Sequence, residues 1–272
     1  MDVMTDSVMT IPSGAGHLLR DWRERRGLSQ LELSNRTGIS SRHVSFVETG
    51  RSTPSPELIH RLGEELDIPL RHRNQILTAA GHAPRYPQRA VDAPELAVVR
   101  RELSAMIAAM APNPAVIIDR HWNLVEANAC IGPLLDGCAA HLLQPPVNVL
   151  RLGLHPDGIA RRVTNFAEWS AHLMGQVRRR AAHTGDAELV ALAAELEGYL
   201  PDGTGHHDSV TVGTDAVVLP LRLDHPDGEL AFFSVDAALT SARDVTVEEL
   251  TVEIFSPADA ATAEFLRRVA SA

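Results

Sequence analysis

The chain has 272 residues, 44% of them apolar and 22% charged, with a formal net charge of −10 at pH 7. That length and balance suit a globular protein of two ordinary domains. No apolar run reaches the roughly eighteen residues a membrane span needs, and the opening MDVMTDSVMT lacks the basic-then-apolar order of a secretion signal. Cys130 and Cys138 form neither a disulfide framework nor a metal spacing, as expected of a reduced, cytoplasmic protein. HExxH, GxSxG, GxGxxG and phosphate-loop patterns are missing, so no catalytic residue, cofactor or metal is expected and the chain does not read as an enzyme.

The acidic balance is unevenly divided. Residues 12–90 hold twelve Arg against eight Asp and Glu, a balance of +4, and residues 91–272 stand at −12. A locally basic module on an acidic chain has the electrostatics of a nucleic-acid binder held by one part only.

In chain order, residues 1–12 are expected to be disordered. Leu18, Leu19 and Trp22 make the apolar stripe of a helix over 14–26, ended by Gly27. Ser29 and Glu32 have the spacing of a capping box, so a second helix starts there and stops at Thr37. Gly38 supplies the positive φ of a sharp turn, Ile39 plugs the angle, and Ser40 caps a third helix ended by Gly50. In that third helix Val44 and Val47 face inward and Ser41, Arg42, His43, Ser45 and Phe46 face outward. Ser55 caps a fourth helix with Pro56 in its first turn, and a fifth runs from about Pro69 to Ala80. Three prolines within 82–94 and no periodic pattern mark a linker over 82–93.

The second domain, 94–270, opens with a helix over 94–109. Val116–Ile118 and Trp122–Ala127 read as a β-hairpin about Asp119-Arg120-His121. Helices follow at 165–181 and 186–199, then strands at Ser209–Val212, Ala216–Leu223 and Glu229–Val235, a strand over Leu250–Phe255, and a helix opening at Ser256-Pro257. The repeated His155-Pro156-Asp157-Gly158 and His225-Pro226-Asp227-Gly228 are read as turns, and Gly205-His206-His207-Asp208 as a loop. The expected fold is multidomain: an all-α five-helix domain over 13–81 and an α+β domain with an antiparallel sheet.

Nine positions at fixed offsets (Gln30, Leu33, Gly38, Ile39, Ser40, Val44, Glu48, Gly50 and Pro54) resemble the helix-turn-helix of phage-repressor-type (Cro/XRE) regulators. The resemblance implies an operator of double-stranded DNA bound by a homodimer. Ser40, Ser41, Arg42, His43, Ser45 and Phe46 would then sit in the major groove, with Arg42 reading a guanine. Gln30, Arg51 and Ser52 would hold the phosphate backbone and keep the protein on the nucleoid. Residues 94–270 resemble the PAS-like ligand-binding domain of MmyB-like XRE regulators. The matching stretches include Asn113-Pro114-Ala115, Glu126-Ala127-Asn128, Asn148 to Arg151, Asn165 to Trp169, Arg178 and Pro257-Ala258-Asp259. This second resemblance implies a small apolar, fatty-acyl-like ligand. Arg178 is the candidate for its anionic head and Asn128, Asn165 and Trp169 for the pocket wall. The alternative is a second domain that only dimerises or binds a protein.

Overall fold

The computed structural model describes residues 14–201 and 218–271, which divide into two compact units. The disorder expected for residues 1–12, the strand expected at Ser209–Val212, and His206 and His207 lie outside the described residues.

Within residues 14–90 the first unit has five helices: α1 Ala15–Arg25, α2 Gln30–Thr37, α3 Ser41–Glu48, α4 Pro56–Glu65 and α5 Leu70–Ala79. Their ends follow the local chemistry. The Ser29 hydroxyl accepts from Glu32 N while Glu32 reaches back to Ser29 N, completing the capping box. Ser40 and Ser55 accept from His43 N and Leu58 N in the same way; each such cap stabilises its helix by about 1 kcal/mol. Gly38 takes φ 68°, turning α2 into α3, a conformation other side chains rarely adopt. Leu19, Trp22, Leu33, Val44, Val47 and Ile59 close one core, each worth about 1.5–3 kcal/mol when fully buried.

Two features fix the angle of α3. A Cβ on Gly16 would lie 2.0 Å from the Val47 carbonyl oxygen, so only glycine lets α1 approach α3 this closely. Beside it, the buried Arg23 guanidinium grips the buried Glu48 carboxylate, Nε to Oε1 at 2.6 Å and Nη2 to Oε2 at 3.0 Å. Arg23 Nη1 also donates to Leu28 O at 2.6 Å. The Glu48 hydrogen bonds hold Arg23 above the ordinary guanidinium range.

The second unit contains α6 Ala97–Ala109, β1 Ala115–Ile118, β2 Leu124–Ala127, α7 Gly132–Leu135, α8 Val149–Leu154, α9 Phe166–Thr184, α10 Ala187–Glu197, β3 Leu221–Leu223, β4 Leu230–Ala238, β5 Thr251–Pro257 and α12 Ala260–Ala270. Between β4 and β5 lies α11, Val245–Glu248, which packs with the first unit. The strands form one antiparallel sheet in the order β2-β1-β5-β4-β3. Alternation divides its two faces. Ala115, Ile117 and Val252 cluster with Leu103 and Ile107 of α6. Val116, Ile118, Leu221 and Phe232 cluster with Trp169, Leu173 and Val177 of α9 and with Leu189 and Leu196 of α10.

Two sequence expectations need correction. Trp122 is not in a strand: it takes φ 62° in the turn, where the Asp119 carboxylate accepts from His121 N and Asn123 N, and β2 starts only at Leu124. The last helix does not open at Ser256-Pro257, because both residues pair with β4; Asp259 caps it instead, accepting from Thr262 N.

Both His-Pro-Asp-Gly repeats are turns. Gly158 N donates to His155 O and Gly228 N to His225 O, at 2.8 and 2.9 Å. In both, the histidine Nδ1 accepts from the aspartate N–H two residues on, at 3.0 and 3.1 Å. Each ring stands edge-on to an aromatic ring 4.8 Å away, His155 to Tyr199 and His225 to Phe265.

Residues 82–90 are held against the first unit. Asn74 binds Tyr86 O through Nδ2 and accepts from Arg85 N and Tyr86 N through Oδ1. The segment 241–248 completes that unit: Val245 N donates to Pro87 O, Arg89 pairs with Asp244 at 2.7 Å, and Glu248 accepts from Leu70 N at 2.8 Å.

Candidate nucleic-acid interface and small-molecule site

On α3 the inward Val44 and Val47 are buried, Ser40, Ser41, Arg42 and His43 are exposed, and Ser45 and Phe46 are half-buried. Phe46 organises the exposed face. The Arg42 and Arg51 guanidinium carbons lie 5.2 and 5.8 Å from its ring centroid, so one aromatic ring aligns two cations. Among the described residues neither arginine meets a carboxylate within ion-pair distance, whereas Arg20, Arg23, Arg36 and Arg73 of the same unit all do. A cation left unpaired keeps its full charge available to a phosphate or a base edge. Ser52 N donates to Phe46 O, folding the loop that carries Arg51 back onto α3. The Gln30 side chain is already engaged, donating to Glu48 Oε2 at 2.8 Å; at that position only the backbone N–H at the start of α2 points free for an anion.

The four pocket candidates of the second unit differ in what engages their polar atoms, and Asn165 and Trp169 lie one helical turn apart, joined by Trp169 N to Asn165 O at 3.1 Å. Asn128 is a buried hub: its Oδ1 accepts from Ala115 N and Cys130 N, and its Nδ2 donates to Ile107 O and Asn113 O. Asn165 donates to Pro220 O and accepts from Arg222 N, tying the start of α9 to β3. Arg178 pairs with Glu197 at 2.7 Å on the solvent side, both side chains 48% exposed. The polar atoms of these three are taken by neighbouring backbone or by an ion pair. Trp169 differs. It is buried, yet among the described residues its indole N–H has no hydrogen-bond partner, a donor of the kind that costs free energy unless something accepts from it.

A different set of polar groups lines the sheet face beneath α9. Asp236 and Glu253 are direct cross-strand partners and share that face with Ser234 and the fully buried Phe232. Exposure rises along β4 from Phe232 to Asp236 and Ala238, so the face is sealed at one end and open at the other. Burial, then the Asp236 charge, pushes the Glu253 carboxyl up to about 7. On α9, His172 stacks on Trp169 at 5.6 Å, and burial lowers its pKa. Arg180 lies half-buried with its guanidinium 4.2 Å from the Trp122 ring centroid. Burial lowers its pKa too, with Asp236, Asp119 and Glu249 opposing at longer range. Its guanidinium donates from Nη1 to Arg120 O at 3.3 Å. Helical spacing separates the two arginines: Trp169, Leu173, Val177 and Ala181 set the inward stripe, and position 180 borders it while 178 does not.

Residues 99–269 match the family model described as the MmyB-like transcription regulator ligand binding domain, and residues 19–72 match a helix-turn-helix model. The chain is 36% identical over 81 residues to the uncharacterized HTH-type transcriptional regulator RghRB of Bacillus subtilis (strain 168), covering 29% of this chain and 56% of that protein. It is 39% identical over 49 residues to an uncharacterized HTH-type transcriptional regulator of Methanothermobacter thermautotrophicus, covering 18% and 71%. The chain thus spans little more than half of the first relative's length.

Proposed function

Since the chain belongs to the family of MmyB-like transcription regulators, a DNA-binding helix-turn-helix joined to a ligand-binding domain, we propose that it binds its operator as a homodimer and releases or tightens on it when an apolar acid enters the second unit. The observation that carries the DNA reading is the two cations, Arg42 and Arg51, set about Phe46 on the exposed face of α3 with no carboxylate partner among the described residues. Arg42, with Ser41, His43 and Ser45, reads base edges; Arg51, Ser52 and the backbone N–H groups at Gln30 hold phosphates. A dimer presents two such helices to half-sites about 34–36 Å apart.

Arg180 takes the anionic head, and the Trp169 indole N–H offers a second donor. Support comes from a half-buried guanidinium and a buried indole donor that, among the described residues, have no carboxylate partner and no acceptor respectively. The strand order β2-β1-β5-β4-β3 supports the PAS-like reading of the sheet. Chain connectivity supplies a route for the signal. β4 and β5 carry Asp236 and Glu253, and the eight residues 241–248 between those strands belong to the helical unit. In this reading residues 13–81 are the DNA-binding module, 82–93 the connection and 94–270 the ligand module.

Native mass spectrometry of the chain purified from its host tests the ligand, and operator affinity with and without the co-purified molecule tests the coupling. The ligand's affinity must change by the same factor when operator is added. Equal affinities in both states defeat the coupling. A protein that retains no small molecule favours the second reading, a domain that dimerises or binds a protein partner; the satisfied hydrogen bonds of Asn128 and Asn165 favour that reading.

A further inference from the structure

The two His-Pro-Asp-Gly turns are local twins, and the difference between them marks a site. Around the second turn the Asp227 carboxylate is taken by Arg268 at 3.0 Å. Around the first, the Asp157 carboxylate has no cation partner among the described residues, and the third side chain to approach is a second imidazole, where the second turn has the Asp136 carboxylate 3.9 Å from His225 Nε2. His141, in the 3-10 turn Ala140–Leu143, brings its ring within 5.6 Å of His155, edge to face. One ligand atom from each of His141, His155 and Asp157 lies within 4.8 Å of the other two. Ala139 N donates to Asp157 O at 2.9 Å, which pins the segment carrying His141 to the turn. His155 is held from behind by the Tyr199 ring, while His141 and Asp157 are exposed, leaving the cluster open to solvent on one side.

We propose that His141, His155 and Asp157 bind a divalent transition-metal cation, with zinc as the reference ion. Two imidazoles and one carboxylate suit a borderline-soft ion, and three protein ligands leave the remaining positions to water. Metal–ligand bonds of about 2.0–2.2 Å require donor atoms closer together than the spread seen here, so the site closes by roughly an ångström when filled. The exposed His141 supplies that movement. Coordination also exchanges one hydrogen bond, the one His155 Nδ1 accepts from Asp157 N–H. Nδ1 cannot serve both partners, and coordination at Nε2 places the ring proton on Nδ1. The filled site locks the 3-10 turn to the C-terminal end of α8, where His155 is the cap.

The test is equilibrium dialysis of the full chain, free of any affinity tag, against Zn²⁺, with Co²⁺ absorption as the optical probe of coordination. One equivalent binds. His141→Ala and Asp157→Asn each weaken binding by at least about tenfold. Two controls retain the affinity of the parent chain: Asp227→Asn in the twin turn, and His206→Ala with His207→Ala, which removes the competing adjacent histidines. Because His141 and Asp157 are exposed, their variants keep the fold, checked by far-ultraviolet circular dichroism. The proposal is overturned if the parent chain binds no zinc, if His141→Ala binds as tightly as the parent, or if the His206/His207 variant is the one that loses the metal.

Discussion

The backbone N–H of Leu70 is bound by the carboxylate of Glu248 at 2.8 Å, across 178 positions of sequence. Leu70 is the first residue of α5, and the N-cap before it, Pro69, offers no side-chain acceptor. A carboxylate at a helix N-terminus satisfies an orphan donor and meets the positive end of the helix dipole. The fifth helix is therefore capped by a residue from the β4–β5 connection. Replacing Glu248 with Ala removes that cap and should lower the stability of the helical unit by about 1 kcal/mol, read as a lower melting temperature. An unchanged melting temperature would show that Glu248 contributes nothing there.

The Arg23–Glu48 pair leads to a larger effect. Both side chains are almost fully buried, 9% and 3% exposed, so removing one leaves an uncompensated charge in the core. Glu48→Ala should cost about 3–5 kcal/mol, seen in chemical denaturation, with DNA binding lost alongside. Replacing both residues by aliphatic side chains of similar volume should recover much of that loss, because neither charge is then stranded. If the single and double variants are equally unstable, packing and not charge is the cause.

Glu253 makes stability depend on pH in the opposite sense to an ordinary ion-paired carboxylate. Its pKa rises from the usual 4.5 to about 7, burial being the main cause. Between those values the folded chain binds more protons than the unfolded one, so stability falls as pH rises through that window. Glu253→Gln removes the charged form. Its melting temperature should exceed the parent's at pH 8, by about 2–4 °C per kcal/mol in a protein of this size. The gap should close below pH 4.5. A gap that is constant with pH would refute the shifted carboxyl.

Arg42 and Arg51 share the Phe46 ring yet should fail differently. Arg42→Ala should cost about 1–3 kcal/mol at one base position and relax specificity there. Arg51→Ala should weaken all sequences alike and lower the salt slope by about one unit. Fluorescence anisotropy against a panel of single-base operator variants, at several salt concentrations, separates the two. If Arg42→Ala also acts uniformly, it is a phosphate contact.

How far each unit could be read beforehand follows from the range of the forces involved. In the helical unit the Ser29–Glu32 box, the Gly38 turn, the Ser40 and Ser55 caps and the Val44–Val47 stripe are all set within a few residues. The same is true of the paired His-Pro-Asp-Gly turns. The pocket candidates rest on the resemblance of their stretches and on residue type, and neither discloses which partner a side chain meets. Besides the neighbouring Cys130 N, Asn128 meets backbone as far as Ile107, Asn165 meets Pro220 and Arg222, and Arg178 meets Glu197.

By itself, then, the sequence determined the helix-turn-helix, its exposed polar face and the alternation of the sheet, since caps, turns and periodicity act along a short stretch of chain. Only the tertiary structure decided that Arg180 and not Arg178 lies against the aromatic side of α9, that Glu248 caps a distant helix, and that His141 joins one of the two twin turns. Those outcomes depend on which surfaces meet when the core closes, and long-range packing leaves no fixed spacing in the sequence.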